Sequence, residues 1–163
     1  FNRSVCVDEF EFNGDGTIPR ILNTTEGVKA VQTLNPFKRT EAETIAWSEG
    51  VETAVSNEIG VYVTDINSGD YIKVRNVDLG RGAKQFYASV ASEKTSGRIE
   101  IRLDAVNGVL LGTFNVKSTG DWKQWVTQSC KTDKKLKGVH DVYFVFKGDD
   151  DVLFNLDWWR LNR

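Results

Sequence analysis

"GRIEIRLD", residues Gly97 to Asp104, sets Ile99, Ile101 and Leu103 against Arg98, Glu100 and Arg102 in strict alternation. Side chains on a strand point to opposite faces in turn, so this stretch has one apolar and one charged face and must cover the first. The same period of two recurs along the chain between turn-forming residues: Glu41 to Trp47, Val61 to Ile66, Asp70 to Val77, Gln85 to Ala91, Leu110 to Val116, Trp122 to Ser129, Val142 to Phe146 and Phe154 to Leu161. No stretch keeps a helical period. Many short strands with a turn signal every ten residues or so predict an all-β fold, an antiparallel two-sheet β-sandwich of the jelly-roll kind.

Composition limits what such a fold can be for. At 163 residues the chain supports one well-buried core with an appendage. A formal charge of −2 gives no bulk attraction to nucleic acid or to an anionic membrane, and no apolar run approaches the roughly 20 residues of a spanning helix. Residues 1–30 hold a strand-like stretch from Ser4 to Phe12 and the turn "NGDGT"; residues 31–39, with Pro36, read as a linker; residues 40–163 read as the domain proper. The opening "FNRSVCVDEF" reads as the interior of a longer protein, from which this chain is expected to be a piece. Cys6 and Cys130 lack zinc-ligand spacing and are either a bridge or two buried thiols.

Two aromatic residues stand apart from the expected core. Tyr62 and Trp122 each follow a glycine-containing turn at the mouth of a strand, whereas Trp125 is expected in a strand interior with its ring in the core. A ring held from below and open above can stack on the apolar face of a sugar, and Asn155, just ahead of the last strand, offers an amide for its hydroxyls. Packing at the rim is the plainer reading of each ring taken singly. On one expected strand Glu41 and Glu43 point the same way, and Asp157 on the closing strand returns beside the first. Three carboxylates with backbone oxygens suit calcium, although a solvated acidic face explains the pattern of charges as well.

Other motifs carry less. His140 is the sole histidine and has no G-x-S-x-G for company, so a turn-bonding role is expected. "KGDDD", Lys147 to Asp151, reads as a hairpin tip. "KTDKKLKG", Lys131 to Gly138, is a basic loop without aromatics, and "DLGRGAK", Asp78 to Lys84, has no phosphate-loop pattern.

The motifs "EAET", "GVYVTDINSGDYIKVRNVDLG", "GRIEIRLDAVNGVLLGTFNV", "STGDWKQWVT", "GVHDVYFVFKG" and "FNLDWWRL" together resemble the family-6 carbohydrate-binding modules of bacterial plant-cell-wall-degrading enzymes, over Glu41 to Leu161. The resemblance implies a jelly roll without catalytic residues, a structural calcium and a sugar cleft formed by loops at one edge. It carries the cleft roles onto Tyr62, Trp122 and Asn155 and the calcium roles onto Glu41, Glu43 and Asp157, with a backbone oxygen from the loop between Glu52 and Glu58. Asp121 departs from the family's usual glycine, placing a carboxylate beside the cleft. "NRSVCVDEFEFNGDGTI" is similar to the tail of family-43 glycoside hydrolases, which implies a secreted, extracellular hemicellulase as parent.

The expectation is therefore a monomeric module within a larger enzyme, binding xylan and xylo-oligosaccharides, with cello-oligosaccharides as further ligands and neither nucleic acid nor membrane as partner. Two other classes compete. A small jelly-roll glycoside hydrolase would need carboxylates facing each other across a cleft, about 5 Å apart if retaining, and Glu41 and Glu43 project from one strand instead. An adhesion domain would show a broad exposed apolar patch.

Overall fold

In the computed structural model, residues 10–21, 32–94, 97–149 and 152–163 are described. The chain divides into two compact units, 1–32 and 33–163. In the first, Asn13 to Thr17 form a tight turn: the Gly16 N–H donates to Asn13 C=O at 2.8 Å, and Asp15 accepts from the backbone and hydroxyl of Thr17 at 3.0 and 2.7 Å. Gly16 has φ +81, which suits a residue without Cβ. Most of the strand expected from Ser4 to Phe12 lies outside the described residues, as does Cys6.

Among its described residues the second unit has eleven strands: β1 (Thr40–Glu41), β2 (Trp47–Glu49), β3 (Glu52–Ser56), β4 (Gly60–Thr64), β5 (Tyr71–Asp78), β6 (Gln85–Ala91), β7 (Gly97–Leu103), β8 (Val109–Asn115), β9 (Val126–Lys131), β10 (Val139–Gly148) and β11 (Asn155–Asn162). One sheet runs β3-β4-β11-β6-β9 with β1 also on β11; the other runs β2-β5-β10-β7-β8. Every pairing between named strands is antiparallel. The two sheets make a β-sandwich jelly roll, with no helix among the described residues.

β7 behaves as its alternation requires. Ile99, Ile101 and Leu103 are buried, while Arg98, Glu100 and Arg102 line the outer face. There Arg102 and Arg98 hold the Glu100 carboxyl below the usual carboxylate range, chiefly through the Arg102 hydrogen bond. Between the sheets, Phe86 of β6 meets Phe114 of β8, Phe144 of β10 and Trp159 of β11 at ring-centroid distances of 5.4, 5.6 and 6.3 Å. This cluster joins the two layers, and burial of large rings is the main source of stability for a fold of short strands.

Three expected elements differ. Glu41 to Trp47 is two strands in different sheets, because the chain turns after Glu41 (Thr44 N–H to Glu41 C=O, 3.0 Å) and crosses to pair Trp47 with Lys73. Glu52 to Ser56, read as loop, is β3 and pairs with β4. The strand expected from Trp122 begins only at Val126. Residues 33–39, read as linker, belong to the sandwich unit: Leu34 and Asn76 bond at 2.8 Å, and Leu161 N–H donates to Pro36 C=O at 2.7 Å.

Phe86 touches both sheets, so Phe86→Ala is expected to cost about 3–5 kcal/mol and Phe86→Leu clearly less. Urea unfolding checks this; an alanine variant within 1 kcal/mol of wild type, roughly the size of a surface change, would remove the cluster from its central place.

Candidate functional site

A cleft of about 330 Å³ opens between the β3–β4 hairpin and the loop from residue 116 to 125 that leads into β9. Its walls are Tyr62, Trp122 and Trp125, with Ser56, Asn57 and Glu58 on the hairpin side and Lys123 on the loop side. Tyr62 lies in β4, paired with Ala54; its neighbour Val63 is fully buried, so alternation turns the Tyr62 ring outward. Trp125 is not a core residue of a strand interior as expected. It precedes β9, half-buried, and meets the Tyr62 ring edge-to-face at 5.2 Å and 69°. Its spacing of three from Trp122 in "DWKQW" fits a turn better than a strand and was the available signal for this role.

The Trp122 loop is held from several sides. Gly120 has φ +93, Thr119 is buried, the Ser92 N–H donates to Thr119 Oγ1 at 2.9 Å and the Thr119 N–H returns to Ser92 C=O at 2.7 Å. Asp121 Oδ1, expected beside the ligand, accepts the Lys123 N–H at 2.8 Å and so braces the turn. The Trp122 indole N–H donates to Glu93 at 3.2 Å. Asn155 is buried, and its amide is engaged at both ends: Nδ2 donates to Trp122 C=O at 2.9 Å and Oδ1 accepts from the Thr64 hydroxyl at 2.8 Å. Asn155 thus connects β4, which carries Tyr62, to the loop that carries Trp122.

Glu41, Glu43 and Asp157 lie near one another, but not as two pleats of one strand; β1 ends at Glu41 and the chain turns through Ala42 and Glu43. Arg39 grips Glu41 with two bonds at 2.8 and 2.9 Å and reaches Asp157 at 3.5 Å. Asp157 is buried, and burial pushes its carboxyl up; Arg39 pulls it down, while Glu41 and Glu43 push it up further. Glu43 Oε2 is buried without a hydrogen-bond partner. That orphaned oxygen beside a buried carboxyl suits a hard cation. Among the described residues, however, no three acidic, histidine or cysteine side chains close into a ready metal-holding group, and Glu41 is held by Arg39.

The remaining candidates have structural partners. His140 Nδ1 bonds Asp104 at 2.8 Å and Nε2 bonds Lys137 C=O at 2.9 Å; burial pulls the imidazole down, and these bonds outweigh it to leave it raised. Cys130 sits opposite Phe86, and burial pushes its thiol up to about 11, which makes it inert near neutrality. Asp150 and Asp151 of the "KGDDD" tip lie outside the described residues.

Known proteins resemble this chain. The family model described as carbohydrate binding module (family 6) matches residues 41–163. An arabinoxylan arabinofuranohydrolase of Bacillus subtilis (strain 168) is 40% identical over 168 residues, covering 99% of this chain and 32% of the relative, so the chain spans about a third of that enzyme's length. A family-6 carbohydrate-binding module from Clostridium cellulolyticum, solved in complex with xylose, superposes with a TM-score of 0.77 at 42% identity, covering 80% of this chain and all of that one. A family-43 arabinoxylan arabinofuranohydrolase from Bacillus subtilis, solved with cellotetraose, gives 0.79 at 40% identity over 96% of this chain and 33% of its own.

The buried Asp157 yields a pH test. An acid whose folded pKa is raised binds its proton more tightly folded than unfolded, so its contribution to stability falls as pH rises from the ordinary carboxylate value through the raised one. In chelator, wild type is expected to lose stability across that window and Asp157→Asn to lose less. Urea midpoints at successive pH values check this; identical slopes for the two proteins would show that the carboxyl is not strained by its neighbours.

Proposed function

Because the chain belongs to the family-6 carbohydrate-binding modules, which bind sugars without catalysis, we propose that it binds xylan, with one sugar held between Tyr62 and Trp122. The carrying observation is the aromatic cleft itself: two rings on separate elements line one open slot, and Trp125 and Asn155 fix where those rings stand. Stacked rings meet the apolar hydrogens of a pyranose, and the polar residues of the hairpin face its hydroxyls. Asn155 acts here mainly by holding the loop, with its amide available to a sugar only if the Trp122 or Thr64 bond is exchanged. The xylose complex of the Clostridium cellulolyticum module supports xylan, and the cellotetraose complex of the Bacillus subtilis enzyme supports cello-oligosaccharides as further ligands. We also propose that the parent is a secreted hemicellulase, since the curated relatives include arabinoxylan arabinofuranohydrolases and xylanases.

Calorimetric titration with xylotetraose tests the cleft. Tyr62→Ala and Trp122→Ala are each expected to lose roughly 2 kcal/mol or more, about thirtyfold in Kd, and Trp125→Ala less, through misplacement of Tyr62. Undiminished affinity in a folded Trp122→Ala protein would move the site elsewhere.

A structural calcium is the second part of the proposal. Glu43 and Asp157 would hold it, joined by Glu41 on release from Arg39, and the ion would supply charge neutralisation between the first and last strands of the sandwich. The backbone oxygen expected between Glu52 and Glu58 would come from β3 or its turn rather than from a free loop. Calcium binding to the folded state alone raises the melting temperature by mass action. Calorimetric scans are expected to show that rise in wild type and its loss in Glu43→Ala, with xylotetraose affinity kept on chelation. A melting temperature indifferent to both calcium and chelator would remove the ion.

A further inference from the structure

Two sequence stretches with no part in the cleft meet in space. "DLGRGAK" joins β5 to β6, and "KTDKKLKG" leaves the end of β9. Backbone bonds lock them together: Leu79 N–H to Gly138 C=O at 2.8 Å, Gly138 N–H to Gly80 C=O at 3.1 Å, and Thr132 N–H to Lys84 C=O at 3.0 Å. Gly82, at φ +101, lies so close that a Cβ there would stand 2.2 Å from Lys134 C=O. Only glycine permits this approach.

The join forms two adjoining concavities of about 480 and 440 Å³, which share Lys84, Lys134 and Arg163. Arg81, Lys135 and Lys137 line the first and Lys131 the second. All seven cations are exposed, and among the described residues none of them makes an ion pair. Two nearby carboxylates keep their charge while bracing backbone: Asp133 accepts the Lys135 N–H at 2.9 Å and Asp78 the Gly80 N–H at 2.8 Å, so the cations remain in excess. The Arg163 guanidinium lies over the Phe37 ring at 4.6 Å. In a chain of net charge −2, this is a local concentration of positive charge on a rigid concave surface.

Strand register places it away from the sugar cleft. Gln85 pairs with Lys131 at one end of the β6–β9 ladder, and Val90 with Val126, next to Trp125, at the other. At about 3.3 Å per residue those ends lie roughly 17 Å apart.

We propose that this groove is a second binding site, for the carboxylates of a uronate-bearing polysaccharide. The inference rests on membership of a carbohydrate-binding family but not on the Tyr62–Trp122 cleft. Lysine and arginine heads pair with carboxylates, and several in a row suit a chain that repeats the charge. A single-stranded nucleic acid would want rings to stack on, and the two rings near this end are covered by arginines, Phe37 by Arg163 and Tyr87 by Arg160.

Affinity electrophoresis and calorimetry of the whole chain test this, with unesterified polygalacturonate as probe and fully methyl-esterified polygalacturonate as its neutral counterpart. The expected result is binding to the acid form that falls tenfold or more between 50 and 500 mM NaCl, and far weaker binding to the ester. Lys84→Gln, Lys134→Gln and Lys135→Gln combined should lower polygalacturonate affinity tenfold or more and leave xylotetraose affinity and melting temperature unchanged. Trp122→Ala should do the reverse, so failure of the cleft and failure of the groove are read separately. Equal binding of acid and ester, an unaffected triple variant, or duplex DNA bound as tightly as polygalacturonate would each overturn the proposal.

Discussion

The candidate cleft, the acidic cluster and the basic groove each meet β11 or the residue after it, and β11 is paired along both edges. On one side β6 matches it from Asn155 to Asn162; on the other β1 takes Trp158 and Trp159 and β4 takes Leu156. A strand with two ladders cannot shift without breaking both. Its register slips between Leu156 and Trp158, where a bulge re-aims the side chains, so Asn155, Leu156 and Asp157 are all buried before regular alternation resumes with Trp159 and Leu161. One strand thereby sends Asn155 to the aromatic loop, Asp157 to the acidic cluster and Trp159 to the core, and is followed directly by Arg163 in the basic groove.

The aromatic cleft depends on that fixity. Stacking gives affinity only to the extent that ordering the rings does not consume it. Here ordering is largely complete beforehand: Trp125 sets the tilt of Tyr62, Asn155 holds the backbone of Trp122, and Glu93 takes the indole N–H and leaves the ring face free of that duty. Asn155 is best understood as a joint between the two walls. Removing its amide would leave Trp122 C=O and the Thr64 hydroxyl without a shared partner, so its loss would act through geometry as well as through any bond to ligand.

The sandwich was legible in the sequence wherever a strand has one buried face, as in "GRIEIRL" and in Gln85 to Ala91. β3 was not, because Glu52, Thr53 and Val55 are exposed and a hairpin that stands off the core shows no apolar alternation. The break after Glu41 was hidden as well. Ala42 and Ile45 keep the look of a strand, yet the chain is changing sheets there, a choice made by β11 and β5 far along the sequence. Tyr62 and Trp122 stand out from their turns, whereas Trp125 reads as core because the strand expected from Trp122 to Ser129 places it in the interior, and that strand begins only at Val126. The basic groove is invisible in the sequence for a different reason: its halves are some fifty residues apart, and the β6–β9 register and the bonds between the two loops bring them together.

The two ends of the six-stranded sheet answer to different forces. The sugar contacts proposed for the cleft would be short-range, between ring faces and apolar hydrogens, and salt would screen them little. The groove acts through charge over about 8–10 Å at ordinary ionic strength and loses its reach as salt rises. Because both are mounted on one rigid ladder, the distance between them is set by strand length and not by a linker. A polysaccharide that carries both neutral sugars and uronates could meet both ends only if its own spacing matches that length; where it does, the second contact forms at a high effective concentration, and where it does not, it adds nothing. Selectivity would then come from the pattern of charge along a chain as much as from the sugar in the slot, and rigidity of β11 is what makes such a pattern readable.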